Sequence, residues 1–288
     1  MQENQKIAIV LSGGGTRCAY SAGALVALAQ EYGYETPDIA IASSGSVASL
    51  FYFLAKQHED IKKTWTDLLD DPLFISFRRK HIMDIDYLID HISKRKVPLN
   101  AEALEETRTA WFVPLTDARN GKTFWATRVC WFDIYEIMRA AKAIPILYNE
   151  HVRLGTGRYV DGDISTTHTT LLRKAIDEGA TTIISITNNL PPSLVTRLFL
   201  GLYAIVSPRG LRNIVFHDLF DVDSFTPEET VKFISISPSQ PLPMSVYSRE
   251  KKLLAGAFEL GFEDTRIHKE IRALFGKPKS KKRPRTKK

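Results

Sequence analysis

Residues 7–17 have the sequence Ile-Ala-Ile-Val-Leu-Ser-Gly-Gly-Gly-Thr-Arg, in which an uninterrupted apolar run stops abruptly at three glycines. A short apolar run of this kind is typical of a strand that is buried on both faces of a parallel sheet. Apolar residues recur at helical spacing through Ala19–Gln30, and a second short apolar run, Ile39–Ala42, follows. Strand, helix and strand in this order predict a βαβ unit at the start of the chain.

The rest of the chain alternates between the same two patterns. Asn120-Gly121 is a hairpin turn signal between two stretches rich in β-branched and aromatic residues. Helical patterns within residues 59–108 predict an inserted helical cap, and another in 249–275 is expected to be interrupted near Gly261. This alternation of strands and helices predicts a three-layer α/β/α fold with a mainly parallel sheet. Further short strands are predicted at 158–160, 181–187 and 232–237.

The charge of the chain is concentrated at one end. Of the 288 residues, 44% are hydrophobic and 25% are charged, which is ordinary for a globular protein with a large core. Residues 277–288 hold eight basic residues and no acidic one, so the residues before them are close to neutral although the net charge is +6. Self-repulsion predicts that this basic tail is disordered.

Two interpretations of the basic tail stay open. It is either a solubilising end or a contact to anionic lipid, which is worth about 1 kcal/mol per basic residue near a membrane surface. Nucleic acid is a weaker third alternative, because the body of the chain shows no matching basic stripe.

The cysteines and the N-terminal residues bear on the compartment. Cys18 and Cys130 form no CxxC pair and have no histidine at ligand spacing, which argues against a disulfide framework and a structural zinc site. Such cysteine usage is typical of a reducing compartment. The polar stretch 1–6 leads directly into the first strand, unlike a secretory signal peptide. We therefore expect a cytoplasmic protein.

The three glycines of the first turn suit an anion. Gly13, Gly14 and Gly15 allow positive backbone φ angles and expose bare N–H groups at the start of a helix, where the helix dipole adds positive potential. Such a turn can hold a phosphate or a developing oxyanion. It matches neither GxxxxGK[ST] nor G-x-G-x-x-G, so it is not a Walker loop or a dinucleotide turn. A purely structural strand-to-helix turn is the alternative.

Ser44 follows the second apolar run and precedes another helical pattern. Its neighbours in Ala42-Ser43-Ser44-Gly45-Ser46 are all small, as a sharp turn between strand, nucleophile and helix requires. The flanking glycines of the G-x-S-x-G motif are replaced here by Ala42 and Ser46. The alternative is therefore a structural serine turn.

A nucleophilic serine needs a group that accepts its proton. None of the seven histidines lies in an evident strand-end turn near an acid, and His168 is expected at a helix start in a solvated or capping role. Asp161 is the better candidate, because it ends a short strand and is followed by Gly162, which permits a tight turn. Its alternative is an ordinary Asx turn.

The glycine motif of residues 12–17, Ser44 in its turn and Val160-Asp161-Gly162 have the order and spacing of patatin-like phospholipases. This resemblance covers about residues 6–189. The sequence is also similar to a bacterial branch of that family in Ser237-Pro238-Ser239-Gln240-Pro241-Leu242-Pro243 and Leu260-Gly261-Phe262, which extends the resemblance to about residue 275.

The resemblance implies a single patatin-like domain over residues 1–276, in which 59–108 form the cap insertion and 277–288 follow as the tail. It also implies a lipid acyl hydrolase that uses a Ser–Asp dyad without histidine and a glycine-rich loop as the oxyanion hole. Such a reaction calls for no metal and no cofactor.

Carried over by position, the resemblance makes Ser44 the nucleophile and Asp161 the general base. Gly13, Gly14 and Gly15 become the oxyanion hole, and Arg17 and Gly162 support the loops. Arg17 is expected to pin the glycine loop by bonding to carbonyl groups. The sequence departs from the family at Cys18, where a glycine is usual, and at the two residues that flank the serine turn.

The function expected from the resemblance is hydrolysis of lipid esters, of the phospholipase A or lysophospholipase type. The expected partners are phospholipids or other lipid esters at a membrane surface, with peripheral contact at the inner membrane face, and nucleic acid is disfavoured. The alternative is a non-catalytic protein of the same fold that binds lipid or an anion. Aromatic residues that would line an acyl channel, or else belong to the core, are Phe51, Tyr52, Phe53, Phe74 and Phe77.

Overall fold

The computed structural model describes residues 5–75, 81–144, 147–148, 150–188 and 230–278. Its strands are β1 (Ile7–Leu11), β2 (Ile39–Ala42), β3 (Ala110–Asp117), β4 (Thr123–Ala126), β5 (Val152–Leu154), β6 (Gly157–Asp161), β7 (Thr182–Ile186) and β8 (Lys232–Ile236). In the described residues they form one sheet with the order β5-β6-β3-β2-β1-β7-β8, and β4 pairs with β3. Four strand pairs are parallel and three are antiparallel, which confirms the mainly parallel sheet.

The helices cover both faces of this sheet. They are α1 (Ala19–Tyr32), α2 (Ser46–Leu54), α3 (His58–Lys63), α4 (Ala101–Glu106), α5 (Ile134–Ala140), α6 (His168–Asp177), α7 (Lys251–Ile267) and α8 (Lys269–Phe275). Short 3-10 helices occur at Gly15–Cys18, Arg128–Cys130 and Gly162–Ile164. The π-helical segments Thr64–Leu68 and Tyr87–Lys96 lie in the chain between α2 and β3, together with α3 and α4.

Alternate side chains of β1 point to two separate apolar clusters. Ile9 and Leu11 pack in the large cluster that includes α1, α2 and α7, whereas Ala8 and Val10 pack on the opposite face, where Leu171 of α6 lies. A central strand with apolar residues on both faces is what its uninterrupted apolar sequence predicted. The fold is therefore the expected three-layer α/β/α arrangement.

Strand β3 extends beyond the carboxyl end of its parallel neighbour β2. Its first residues pair with β2, up to the pair of Ile41 with Phe112. Its last residues pair with β6 in antiparallel orientation, and Asp161 lies opposite Leu115. Because β6 runs back toward the end of β2, its last residue comes level with the turn that follows β2. The antiparallel orientation of β6 therefore carries Asp161 toward Ser44.

Helices α1 and α7 approach each other at two glycines. A Cβ on Gly23 would lie 1.9 Å from the carbonyl oxygen of Phe258, and a Cβ on Gly261 would lie 2.0 Å from that of Tyr20. The predicted interruption near Gly261 is wrong, because α7 continues through this residue and ends before His268. Gly261 serves the contact between two helices, where any side chain would separate them.

Some sequence-based expectations fall outside the described residues. These are Phe77, most of the basic tail and the stretch 194–206, whose largely apolar sequence, interrupted by one charge at Arg197, predicts a helix. Among the helices that the structure does describe, none combines the length and the apolar character needed to cross a membrane.

Candidate active site

Ser44 occupies the turn between β2 and α2, and its backbone φ is +50°. A non-glycine residue in this region stores about 1–3 kcal/mol of strain, which is characteristic of functional turns. The turn is closed by the N–H of Ser46, which donates to the carbonyl of Ser43 at 3.1 Å. Gly45 is required, because a Cβ at that position would lie 2.5 Å from the carbonyl oxygen of Gly15. The sequence thus places a buried serine on a sharp turn directly against the glycine loop.

The hydroxyl of Ser44 contacts the carboxyl group of Asp161. Ser44 Oγ donates to Asp161 Oδ2 at 2.7 Å, and both residues are buried. Asp161 Oδ1 accepts the N–H of Asp163 at 2.9 Å, and the Asp161 N–H donates to the carbonyl of Ala143 at 3.1 Å. A carboxylate at this distance is within reach of the hydroxyl proton. The geometry is therefore compatible with transfer of the hydroxyl proton from Ser44 to Asp161.

Two charged neighbours act on Asp161 in opposite directions. Burial first, and then the negative charge of Asp163, raise the pKa of Asp161 well above its ordinary value. The Asp163 N–H, the Ser44 hydroxyl and the ammonium of Lys142 oppose this rise. Burial lowers the pKa of Lys142 itself to about 8. The ionisation of Asp161 thus depends on one nearby carboxylate and one nearby ammonium.

Asp163 links the three turns of the site. Its Oδ1 accepts a hydrogen bond from Ser43 Oγ, in the turn that carries Ser44. Its other oxygen lies so close to Gly13 that a Cβ there would be 1.9 Å away. The absence of a side chain at Gly13 therefore makes room for a carboxylate between the glycine loop and the serine turn.

Two of the three glycines in the loop adopt the positive φ angles that the sequence predicted. Gly14 and Gly15 adopt φ angles of +141° and +58°. A Cβ on Gly15 would lie 2.2 Å from the carbonyl oxygen of Val246, so a larger residue cannot replace it without movement of the backbone. Within the described residues, the N–H groups of Gly14 and Gly15 donate to no protein acceptor. They stand at the start of the turn into α1, where an anion is favoured.

The loop is held from behind by backbone oxygens of residues 244–246. Arg17 Nε donates to the carbonyl of Met244 at 3.0 Å, and the Thr16 N–H donates to the carbonyl of Val246 at 2.9 Å. Gly162 supports the opposite side of the site, since a Cβ there would lie 2.2 Å from the carbonyl oxygen of Pro114. Both residues therefore act on backbone position rather than at the serine itself.

Asn188, which follows β7, joins the glycine loop to the serine turn. Its Nδ2 donates to the carbonyls of Ser12 and Gly13 at 2.9 and 3.0 Å and lies 3.4 Å from Ser46 Oγ. Its Oδ1 accepts the N–H of Ser21 in α1 at 3.0 Å. One buried amide thus connects four segments, and a buried polar network satisfied in this way fixes their relative positions.

A cavity opens beside Ser44, and its described wall is mostly apolar. Gly15 and Ser44 are part of this wall, and Lys142 is its one charged residue among those described. Of the aromatic residues considered for an acyl channel, Tyr52 and Phe74 line this cavity, whereas Phe51 and Phe53 are core residues that do not line it. Much of the remaining wall comes from the helical region between α2 and β3, through Ile61, Trp65, Leu69, Met83, Ile85 and Leu88. An apolar cavity that ends at a hydroxyl suits an acyl chain.

The structure brings the glycine loop, Ser44 and Asp161 together, with Arg17 and Gly162 behind them. Sequence reasoning missed three further residues of the site. The sequence contained an indication of two of them. Asp163 lies two residues after Asp161 in the tripeptide Asp-Gly-Asp, and Asn188 lies just after a buried strand, as Ser12 does. Lys142 is the one charge in the stretch 140–144, but nothing in the sequence indicated where it points.

Two other candidate side chains, Cys18 and His168, are not part of the hydrogen bond between Ser44 and Asp161, although Cys18 is buried next to Gly45. Burial raises the pKa of the Cys18 thiol to about 12, so it stays protonated near neutral pH. His168 is the first residue of α6, and its Nε2 lies 2.7 Å from Ser185 Oγ. Among the residues described by the structure, no group of three or more His, Cys, Asp or Glu side chains could hold a metal ion.

The structure shows a three-layer α/β/α protein in which a buried serine is hydrogen-bonded to a carboxyl group. Comparison with known proteins identifies the family to which this protein belongs. The family model of patatin-like phospholipases matches residues 9–171, which is more than half of the chain. The chain therefore belongs to the patatin-like phospholipase family, whose activity at the family level is hydrolysis of lipid esters.

Other comparisons add little beyond the family. No curated protein matches the sequence. Among solved structures, VipD from Legionella pneumophila is similar over 91% of this chain, with 14% sequence identity and a TM-score of 0.46. The chain covers 66% of the VipD chain, which is slightly less than two thirds of its length.

Proposed function

We propose that this protein is a serine acyl hydrolase of the phospholipase A or lysophospholipase type. The observation that carries the proposal is the 2.7 Å hydrogen bond from Ser44 to Asp161 at the end of an apolar cavity. Membership of the patatin-like phospholipase family supports a lipid ester as the substrate.

The proposed reaction transfers the acyl group in two steps. Asp161 accepts the hydroxyl proton while Ser44 Oγ attacks the ester carbonyl, and the N–H groups of Gly13, Gly14 and Gly15 hold the oxyanion. Each such donor is typically worth about 2.7–4 kcal/mol of barrier. Collapse of the intermediate releases the alcohol, which takes the proton back from Asp161. Water then attacks the acyl-serine, Asp161 accepts its proton, and the fatty acid leaves as Ser44 is reprotonated.

The proposed substrate position follows from the wall of the cavity. Residues 59–108 act as a cap over the acyl chain, because Ile61, Trp65 and Leu88 face the cavity from this region. The cap belongs to one catalytic domain that spans residues 1–276. The basic tail, 277–288, would then attract the protein to anionic lipid at the inner membrane face.

A non-catalytic lipid-binding protein is the second candidate. It is favoured by the raised pKa of Asp161, because a protonated carboxyl group cannot accept the serine proton. This candidate predicts that lipid binds in the cavity without turnover and that a fluorophosphonate does not react.

A labelling experiment with two matched variants separates the candidates. A fluorophosphonate probe is expected to label the wild-type protein, and Ser44→Ala is expected to abolish labelling. Ser185→Ala is the control, because Ser185 is another buried serine and is hydrogen-bonded to a histidine, His168. Labelling that survives Ser44→Ala would contradict the assignment of the nucleophile.

Turnover is then measured on a panel of phospholipids, lysophospholipids and neutral lipid esters. Asp161→Asn keeps the size of the side chain but cannot accept a proton, so we expect loss of hydrolysis with unchanged thermal unfolding. Hydrolysis that persists in Asp161→Asn would contradict the dyad. Lipid binding without any hydrolysis in the wild type would support the second candidate.

A further inference from the structure

Lys142 is a buried cation without a direct partner in the described residues. Its side chain is 7% exposed, and Nζ forms no hydrogen bond to any residue that the structure describes. It lies in the loop after α5 and lines the same cavity as Ser44. Leaving an ammonium unpaired in the interior costs several kcal/mol unless an opposite charge lies nearby. A lysine side chain that pointed to solvent would avoid this cost, so the buried position of Lys142 needs an explanation.

The charges around Lys142 supply that explanation. Asp161 is the acidic side chain that acts on it most strongly, and the second ionisable neighbour, Cys18, is held in its neutral form by burial. Asp163 adds its negative charge beside Asp161. The loop of Lys142 is also attached to the strand of the base, since Ala143 accepts the Asp161 N–H. The site therefore holds two adjacent carboxyl groups and one facing ammonium.

We propose that Lys142 is a positioning residue for the reaction, whose ammonium favours the ionised form of Asp161, the form that accepts the proton of Ser44. This inference rests on the hydrolase function proposed above. Two carboxyl groups side by side in a buried site hold a proton between them more readily than an isolated one does. A cation in the same cavity opposes this preference without touching the serine. Lys142 transfers no proton and forms no bond in the reaction.

The pH dependence of kcat/KM tests this proposal, because it would not change if Lys142 had only a structural role. In Lys142→Met, the removal of the ammonium raises the pKa of Asp161, so the rise of activity on the acidic side moves to higher pH. We expect a shift of about one pH unit and hence a roughly tenfold loss at pH values well below the midpoint of the wild-type acidic limb. The variant approaches the wild type above pH 9, where Lys142 of the wild type has also lost its proton.

Two further variants control this measurement. Lys142→Arg retains a cation and is expected to restore the position of the acidic limb. Lys174→Met makes the same exchange in α6, where Lys174 pairs with Glu178 and does not line the cavity, and it is expected to leave the profile unchanged. Equal effects of Lys142→Met and Lys174→Met, or a loss that is the same at every pH, would overturn the proposal.

A substrate comparison and a titration separate this proposal from its rivals. A neutral short-chain ester and an anionic phospholipid are expected to show the same pH shift, whereas a KM increase confined to the anionic lipid would assign Lys142 to head-group binding instead. Carboxyl titration by 13C NMR, assigned with Asp161→Asn, is independent of turnover. A raised Asp161 pKa in Lys142→Met supports the inference even if the hydrolase function fails, and an unchanged pKa overturns it.

Discussion

The contact between α1 and α7 leads to a prediction about the free energy of unfolding. Two glycines of α7, one inside the contact and one outside it, determine the size of the expected effect. Gly261 faces Tyr20, and a Cβ there would lie 2.0 Å from a backbone oxygen, which no rotation of a side chain can relieve. Gly256 lies on the exposed side of the same helix, and a Cβ there would meet nothing within 4 Å. Substitution by alanine therefore adds the same methyl group to one helix in two opposite environments.

The expected energies differ in sign. Alanine is a better helix former than glycine by about 0.8–1 kcal/mol, so Gly256→Ala should stabilise the protein by roughly that amount. The same gain applies to Gly261→Ala, but the helices must separate there, and overpacking of this kind costs about 3 kcal/mol at the upper end of its usual range. The two variants should therefore differ by about 3 kcal/mol, with Gly261→Ala destabilised by about 2 kcal/mol.

Urea unfolding followed by far-UV circular dichroism measures both free energies under identical conditions. Because α1 begins directly after the glycine loop, Gly261→Ala should also lower the turnover of lipid esters, while Gly256→Ala should not. Equal unfolding midpoints for the two variants would refute the close approach of α1 and α7. A destabilised Gly261→Ala with full activity would refute only the link from this contact to the glycine loop.

Three further predictions concern the site and the tail. Asp163→Asn keeps an acceptor but removes the negative charge that raises the pKa of Asp161, so the acidic limb of kcat/KM should move to lower pH, and a limb that stays in place would contradict this. Asn188→Ala removes the side-chain acceptor of the Ser21 N–H and one of the donors to the carbonyls of Ser12 and Gly13, so urea unfolding should show a loss of about 1–3 kcal/mol together with reduced kcat. Deletion of residues 277–288 should weaken cosedimentation with anionic vesicles but not with neutral ones, and equal cosedimentation would leave the tail as a solubilising end.

The first half of the site was accessible from the sequence because its elements are local. The strand before Gly13 and the strand before Ser44 are short, fully apolar and followed by small residues, and both patterns depend on neighbours along the chain. Parallel neighbours in a sheet end at the same edge, so the two turns were expected to meet. The two turns lie side by side as long as β1 pairs with β2 in parallel, and the structure shows this pairing.

The second half of the site depends on contacts between distant residues. Asp161 reaches Ser44 because β3 extends past β2 and pairs there with an antiparallel β6, which no local pattern in residues 157–161 indicates. The direction of the Lys142 side chain is set by the loop after α5 and by the strand that this loop contacts. The role of Gly261 was also misjudged, because glycine inside a helix indicates either a break or a close contact, and only the partner helix decides between them.

The turn tolerates Ala42 and Ser46 in place of the two glycines of the G-x-S-x-G pattern. The position that has no room for a side chain is the one between the proposed nucleophile and Ser46. That position is occupied by Gly45, and a Cβ there would lie 2.5 Å from the carbonyl oxygen of Gly15 in the glycine loop. Ser46 donates to the carbonyl of Ser12 at 2.7 Å and lies 3.0 Å from Ser21 Oγ, so its hydroxyl binds the serine turn to the glycine loop and to α1. A glycine at position 46 would leave these two groups with fewer partners. The serine at this position therefore strengthens the connection between the proposed nucleophile and the proposed oxyanion hole.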